Sequence, residues 1–223
     1  MDRKKVAISL CGLLIFMGVV YSQPTKDEQA MVDQILQRSF TKDPRTEWKL
    51  KTDESGYICS KYPSREKMPA KEIQKVMELN KKAIKYPQHG FIMGDWKEGQ
   101  KLVETSAGGR FVGYGFSDKP FAAHGGNCYA CHLIEKGKPG GTLGPELTGY
   151  GKRLGITKDN VDKIYKDPEL FNKVKTVYEI IYASWAYYPC SAMPRFGYWE
   201  VLSPDDIAHI VAFLLHPESP VNK

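Results

Sequence analysis

The stretch Gly125-Gly126-Asn127-Cys128-Tyr129-Ala130-Cys131-His132 decides how the rest of the chain is read. It holds the pattern C-x-x-C-H, the spacing of a covalent attachment site for c-type haem. On a helical turn, residues at i, i+3 and i+4 share one face. Cys128 and Cys131 can therefore present two sulfurs to the two vinyl groups at a porphyrin edge, and His132 an imidazole nitrogen to the iron. Two other readings of the cysteine pair fit less well. Structural zinc normally takes four protein ligands, and no second pair follows. A thioredoxin-like dithiol expects a buried strand ahead of it in a βαβ pattern, whereas His124-Gly125-Gly126-Asn127 reads as a turn.

A haem iron held by His132 needs a sixth ligand. Beyond His132 the chain has one methionine, Met193, in Cys190-Ser191-Ala192-Met193-Pro194-Arg195-Phe196-Gly197. A distal thioether raises the potential, as in electron-carrying cytochromes, and Pro194 stiffens the loop that would hold the sulfur. Core methionines rarely sit in Pro/Gly loops, so Met193 is the preferred ligand. Cys190 as a thiolate and His209 are competitors. His209 follows Asp205 by four residues and reads as half of a surface pair, while His124 and His216 read as loop and helix-end residues. A six-coordinate His/Met iron has no open position, which points to one-electron transfer and away from peroxidase or oxygen chemistry.

The loop Gly140-Gly141-Thr142-Leu143-Gly144-Pro145 follows the motif. A metal-bound histidine usually donates its other N–H to a carbonyl, and a rigid loop here could supply that carbonyl from Pro145. Leu143, Leu147 and Tyr150 would then cover the haem edge, and Lys136, Lys138, Lys152 and Arg153 would steer an acidic partner.

The chain opens with Asp2-Arg3-Lys4-Lys5, an apolar run from Val6 to Val20, and small residues before Gln23. That is the pattern of a secretory signal peptide over 1–22, cleaved before Gln23. The run is short for a membrane anchor, which needs about 20 residues, and Cys11 has no lipoprotein cleavage pattern around it. Nothing further along is apolar enough to span a membrane. The whole chain carries a formal charge of +6. Without residues 1–22 it falls to about +4, too mild a balance to argue for nucleic acid. Beyond the haem pair, Cys59 and Cys190 remain as an even pair in an exported chain, where disulfides form and persist. Sequence alone does not show that the two meet.

From Thr25 to about Phe40 the chain reads as an amphipathic helix carrying Ala30, Met31, Ile35 and Leu36. Residues 41–67 look polar and turn-rich. Pro69 then opens a helix with Ile73, Val76, Met77 and Ile84, ending before Pro87. This extension, 23–88, either wraps on the following domain or forms a partner-binding arm. Its apolar helix faces need cover, so it is expected to be ordered. Residues 89–223 read as the haem domain. Asp95 is a candidate N-cap for a helix with Trp96, Gly99, Leu102 and Val103. Glycine in mid-helix costs ~1 kcal/mol against alanine, so Gly99 suggests a close helix crossing, the alternative being a place on a solvated face. Helices are expected at 158–166 and at 168–184, the second with Leu170, Val174, Val177, Tyr178 and Ile181. Ser203-Pro204-Asp205-Asp206 caps a last helix with a stripe of Ile207, Ile210, Val211 and Leu214. One helix before the haem motif and one at the chain end, packed across each other, give an all-α, class I-like cytochrome c fold with an N-terminal helical extension.

Several stretches together resemble the SoxX family of mono-haem cytochromes. They are the Gly125–His132 run, Gly141-Thr142-Leu143-Gly144-Pro145, Tyr150-Gly151-Lys152, Cys190 to Gly197, and Pro217-Glu218-Ser219-Pro220-Val221-Asn222. Gly94-Asp95-Trp96-Lys97-Glu98-Gly99 and Cys59-Ser60 look like the longer variety of that family. The resemblance implies one covalent haem c, with Cys128 and Cys131 as thioether links, His132 and Met193 as axial ligands, and Cys59 bridged to Cys190. It implies a periplasmic heterodimer with a SoxA-like cytochrome subunit. That complex joins thiosulfate oxidatively to a cysteine of a SoxYZ-like carrier protein and passes the electrons to a downstream cytochrome. The activity is that of an L-cysteine S-thiosulfotransferase, with the catalytic centre on the SoxA-like subunit. A free periplasmic carrier cytochrome and a haem-based sensor of small gases are the other classes open. The resemblance is weakest in the first helix and around Ala183–Pro189.

Overall fold

A computed structural model of the protein describes residues 25–39, 53–105 and 125–223. The expected leader over 1–22, its cleavage point, Cys11 and His124 lie outside the described residues. Within them there is no strand, and the regular elements are α-helices and short 3-10 turns. The protein is all-α. The helices are α1 (Lys26–Ser39), α2 (Glu54–Ser60), α3 (Ala70–Lys82), α4 (Trp96–Glu104), α5 (Tyr150–Arg153), α6 (Pro168–Tyr182) and α7 (Pro204–Leu215). None of them is long and apolar enough to cross a membrane.

The core is built around α7. Its start is a capping box: the Ser203 hydroxyl accepts the Asp206 N–H at 3.0 Å, and the Asp206 carboxylate accepts the Ser203 N–H at 2.9 Å. Pro204 fills the first turn, where its missing N–H costs nothing. The expected stripe is buried, but Ala208, Ala212, Phe213 and Leu215 are buried too. A helix that is apolar all round belongs inside a fold, with neighbours on every side. Helices α4 and α6 supply two of them, and the chain end closes a third. Asn222, itself buried, accepts the Gly151 N–H at 2.8 Å and donates to the Leu214 and His216 carbonyls at 3.0 Å each. Those carbonyls would otherwise be orphans of the last helical turn.

Helix α4 begins where expected, with the Asp95 carboxylate accepting the Lys97 N–H at 2.7 Å. It crosses α7 at Gly99, where a β-carbon would lie 2.0 Å from the His209 carbonyl oxygen. The close crossing read from this glycine is present. His209 does not pair with Asp205. Its Nδ1 accepts the Asp95 N–H at 2.8 Å, and Asp205 pairs with His89 at 3.0 Å. The spacing put both side chains on one face, but α4 arrives against that face and turns the imidazole inward.

Helix α6 is capped by Asp167, which accepts the Glu169 and Leu170 N–H groups, and buries the five side chains expected of it. Two other expectations change. The segment at 158–166 is a turn with a 3-10 stretch at Val161–Lys163. The Asn160 side chain bonds the Thr157 N–H and the Gly155 carbonyl, competing with a helix. Within 41–67, the turn-rich reading misses α2, which is capped by Asp53 and buries Ser55 and Ile58. A seven-residue helix containing Gly56 has too little propensity to be seen without its packing.

Helices α2 and α3 form a second cluster of Ile58, Met68 and Val76, against Trp185 and Cys190. Cys59 and Cys190 are joined by a disulfide, with Cα atoms 5.6 Å apart. The extension is thus fastened to the chain's own segment 184–195. On α1, by contrast, Met31, Val32 and Ile35 are exposed.

Candidate functional site

The Cys128–His132 segment is a single helical turn. The Cys131 and His132 N–H groups both donate to the Cys128 carbonyl, at 3.1 and 2.9 Å. Asn127 enters the turn in the left-handed region (φ 44°), which asparagine tolerates better than most residues. Both thiols are free and half-buried. Burial, with the neighbouring Cys131, pushes the Cys128 thiol up to about 12. A thiol-exchange pair needs the opposite, a nucleophile lowered towards neutral pH. The redox-dithiol reading therefore loses ground. Among the described residues there is also no cluster of three or more histidines, cysteines and carboxylates that would hold a metal ion.

The following loop is laced onto this turn. Gly141 N–H donates to the Tyr129 carbonyl at 2.8 Å, Gly144 N–H to the Cys131 carbonyl at 2.8 Å, and Leu147 N–H to the Leu133 carbonyl at 2.7 Å. The loop has to be glycine-rich to pass here: a β-carbon on Gly144 would lie 2.2 Å from His132 Cε1. That passage brings the Pro145 carbonyl to 2.7 Å from His132 Nδ1. A carbonyl only accepts, so Nδ1 carries the proton, and in the neutral ring that leaves the lone pair on Nε2. Leu147 and Tyr150 pack against the main core, while Leu143, the residue before Gly144, is 73% exposed. The motif is tied to α4 as well. The Tyr129 hydroxyl donates to Glu135, and Lys138 bridges Glu135 and Glu104 at 3.0 and 2.9 Å. Two of the four expected steering cations are thus engaged within the chain: Lys138 here, and Arg153 on the Thr148 and Glu146 carbonyls.

Met193 sits half-buried on the same core as Cys128 and Tyr129. Its loop is fixed through the backbone. Ser184 donates its hydroxyl to the Met193 carbonyl at 2.7 Å, and the Trp185 indole donates to the Ser191 carbonyl at 2.9 Å. The Gly197 and Tyr198 N–H groups share the Tyr182 carbonyl. The Phe196 ring lies 3.7 Å from where a β-carbon of Gly126 would be, so the Met193 loop reaches the start of the cysteine motif. Both competitors for the sixth position are otherwise engaged, Cys190 in its disulfide and His209 on Asp95.

These donors fit a covalent haem. Two unpaired thiols and an imidazole share one turn, the imidazole is held by Nδ1, and a glycine leaves space against the ring. The sequence reading did not single out Arg195, which is buried between Asp53, Asn80 and three aromatic rings. A cation inside the aromatic-rich run 185–199 was the available signal.

The chain is 34% identical over 226 residues to a protein of Aquifex aeolicus (strain VF5) described as an uncharacterized lipoprotein, an alignment covering 96% of this chain and 98% of that one. The chain belongs to that protein's family. No model of a known protein family matches it.

Proposed function

We propose that this protein is a mono-haem c-type cytochrome with a class I-like cytochrome c fold, the electron-accepting subunit of a periplasmic SoxAX-type complex. One haem c would be held by Cys128 and Cys131 through thioether links, with His132 and Met193 as the ligands of its iron. The observation that carries the reading is the C-x-x-C-H turn with His132 Nδ1 anchored on the Pro145 carbonyl. When bound, the haem would supply one-electron transfer, with both iron ligands coming from the chain. The chain's part is to hold and orient. Pro145 fixes the His132 tautomer and raises its basicity as a ligand. Gly144 leaves room for the ring, and the backbone bonds of Ser191, Met193 and Gly197 fix the loop that carries the thioether.

The partner is a SoxA-like cytochrome subunit carrying the catalytic centre of an L-cysteine S-thiosulfotransferase. The carrier is SoxYZ-like, and the electrons pass to a further cytochrome. The exposed apolar side chains of α1 support a partner, and the lipoprotein description of the Aquifex relative supports export. One observation favours the alternative of a free periplasmic carrier cytochrome. Helices α2 and α3 are fastened to the chain's own Met193 loop, so they need no partner to explain them.

The deciding experiment purifies the tagged, exported protein from its native cells. Haem should stay with the chain after denaturation, and Cys128→Ala/Cys131→Ala should abolish this. A co-purifying second cytochrome, and haem reduction when thiosulfate and a carrier protein are added, are the expected results. A lone chain indifferent to thiosulfate would leave the carrier reading standing. A chain without covalent haem would end both. Met193→Ala separates electron transfer from gas sensing. The ferrous variant should newly bind carbon monoxide, while the parent does not. Binding by both to the same extent would favour a sensor.

A further inference from the structure

The Met193 loop is anchored to the extension through a buried cation of its own. Arg195 is 4% exposed. Its guanidinium donates to Asp53 through Nη1 at 2.7 Å and Nη2 at 3.1 Å, and through Nη1 to the Asn80 amide oxygen at 3.1 Å. Asn80 is fully buried and donates in turn to the Ser55 hydroxyl at 3.0 Å and the Val76 carbonyl at 2.8 Å. Trp185 and Tyr198 each place a ring 4.1 Å from the guanidinium carbon, and Trp199 one at 4.9 Å. The partners at Asp53 and Asn80 come from 142 and 115 residues away in sequence.

Simple cover for the loop would not need this arrangement. Apolar residues of similar volume usually replace a buried ion pair with no loss of stability, whereas a planar fork with satisfied partners fixes one geometry. The grip falls two residues after Met193, and the disulfide at Cys190 falls three before it. Between them the Met193 carbonyl is held by Ser184. The backbone on both sides of Met193 is therefore set by α2, α3 and Ser184, while none of these contacts uses the thioether itself.

We propose that Arg195, through Asp53 and Asn80, is a positioning residue that sets where the Met193 sulfur is presented, so that α2 and α3 act as a splint for the sixth ligand. The inference rests on the haem reading. It assigns to the N-terminal extension a role within the chain, at the ligand loop.

The test uses the full exported holoprotein and three variants. Arg195→Lys keeps the charge but loses the fork and the planar stacking. Asp53→Asn keeps an N-cap for α2 and loses the charge. Val76→Ala loosens the α2–α3 cluster while keeping the Arg195, Asp53 and Asn80 side chains and the Val76 carbonyl that Asn80 bonds, and so reports a merely structural loss. In Arg195→Lys and Asp53→Asn the ferric charge-transfer band of a thioether–iron bond should largely disappear, the midpoint potential should fall, and the ferrous form should gain carbon monoxide binding. Amide exchange over residues 191–196 should quicken by roughly tenfold or more. Val76→Ala should lower stability and leave band and potential in place.

If both clasp variants keep the band, the potential and the slow exchange of the parent, the inference is wrong and the haem reading stands. The inference also fails, with the haem reading intact, if Val76→Ala shifts the potential as much as Arg195→Lys does. If Met193→Ala leaves the parent's spectrum unchanged, the ligand assignment itself fails and the inference falls with it.

Discussion

Replacing Cys59 and Cys190 together by serine should lower the unfolding free energy by up to about 5 kcal/mol. The bridge spans 131 residues, so its loss releases a long loop in the unfolded chain. Small domains hold only about 5–15 kcal/mol in total, so the variant should be marginal. Denaturant unfolding of the oxidised protein against the double variant measures the difference. The backbone adds a second expectation. Cys190 sits at φ 61°, a left-handed conformation in which a β-carbon costs roughly 1–2 kcal/mol. Cys59→Ser/Cys190→Gly should therefore recover part of what the double serine variant loses. A double serine variant within about 1 kcal/mol of the parent would show that the Arg195 clasp and the Ile58–Met68–Val76 cluster hold the extension without the bridge.

Gly99→Ala is the other large effect, and its sign decides between two physical readings. Helix propensity alone predicts a gain of about 1 kcal/mol, because alanine is the better helix former. Packing predicts a loss of about 3 kcal/mol or more, because the new β-carbon would lie 2.0 Å from the His209 carbonyl oxygen and 2.9 Å from Phe213 Cβ. Both neighbours are parts of a fixed helix, so relief requires α4 and α7 to separate. Separation would also pull the Asp95 N–H from His209 and carry strain towards the cysteine turn, since the Gly126 N–H is bonded to the Leu102 carbonyl of α4. Thermal unfolding is the measurement, and a stabilised variant would refute the packing account.

Local chemistry made much of the protein legible in advance. Ser203-Pro204-Asp205-Asp206 is a helix start on any reading, and the capping box is there. Asp95 announced α4, and the five apolar side chains of α6 followed the helical period. Gly99 was informative because a glycine that weakens its own helix must be offset by packing. The site was legible for the same reason. C-x-x-C-H fixes three donors on one turn, and a glycine-rich loop ending in Pro145 is the kind of segment that can approach an imidazole closely.

What could not be read are relations between distant residues. Asp205 and His209 are neighbours on one helix face, which made a pair plausible. The outcome turned on α4, more than a hundred residues earlier in the chain, which offers His209 a better partner in Asp95. Helix α2 was invisible because seven residues with a glycine have no helical stability apart from the cluster they pack into. Arg195 looked like an ordinary loop cation, since nothing near it in sequence shows that Asp53 and Asn80 fold back over it.

The all-α class, the helix caps, the glycine crossing and the cysteine–histidine turn follow from the order of the residues, because each depends on groups within a few positions of one another. The meeting of Cys59 with Cys190, the inward turn of His209 and the grip of the extension on the Met193 loop belong to the folded molecule. Those contacts join residues more than a hundred positions apart, and their stability comes from burial and shared partners that exist only once the chain has closed on itself.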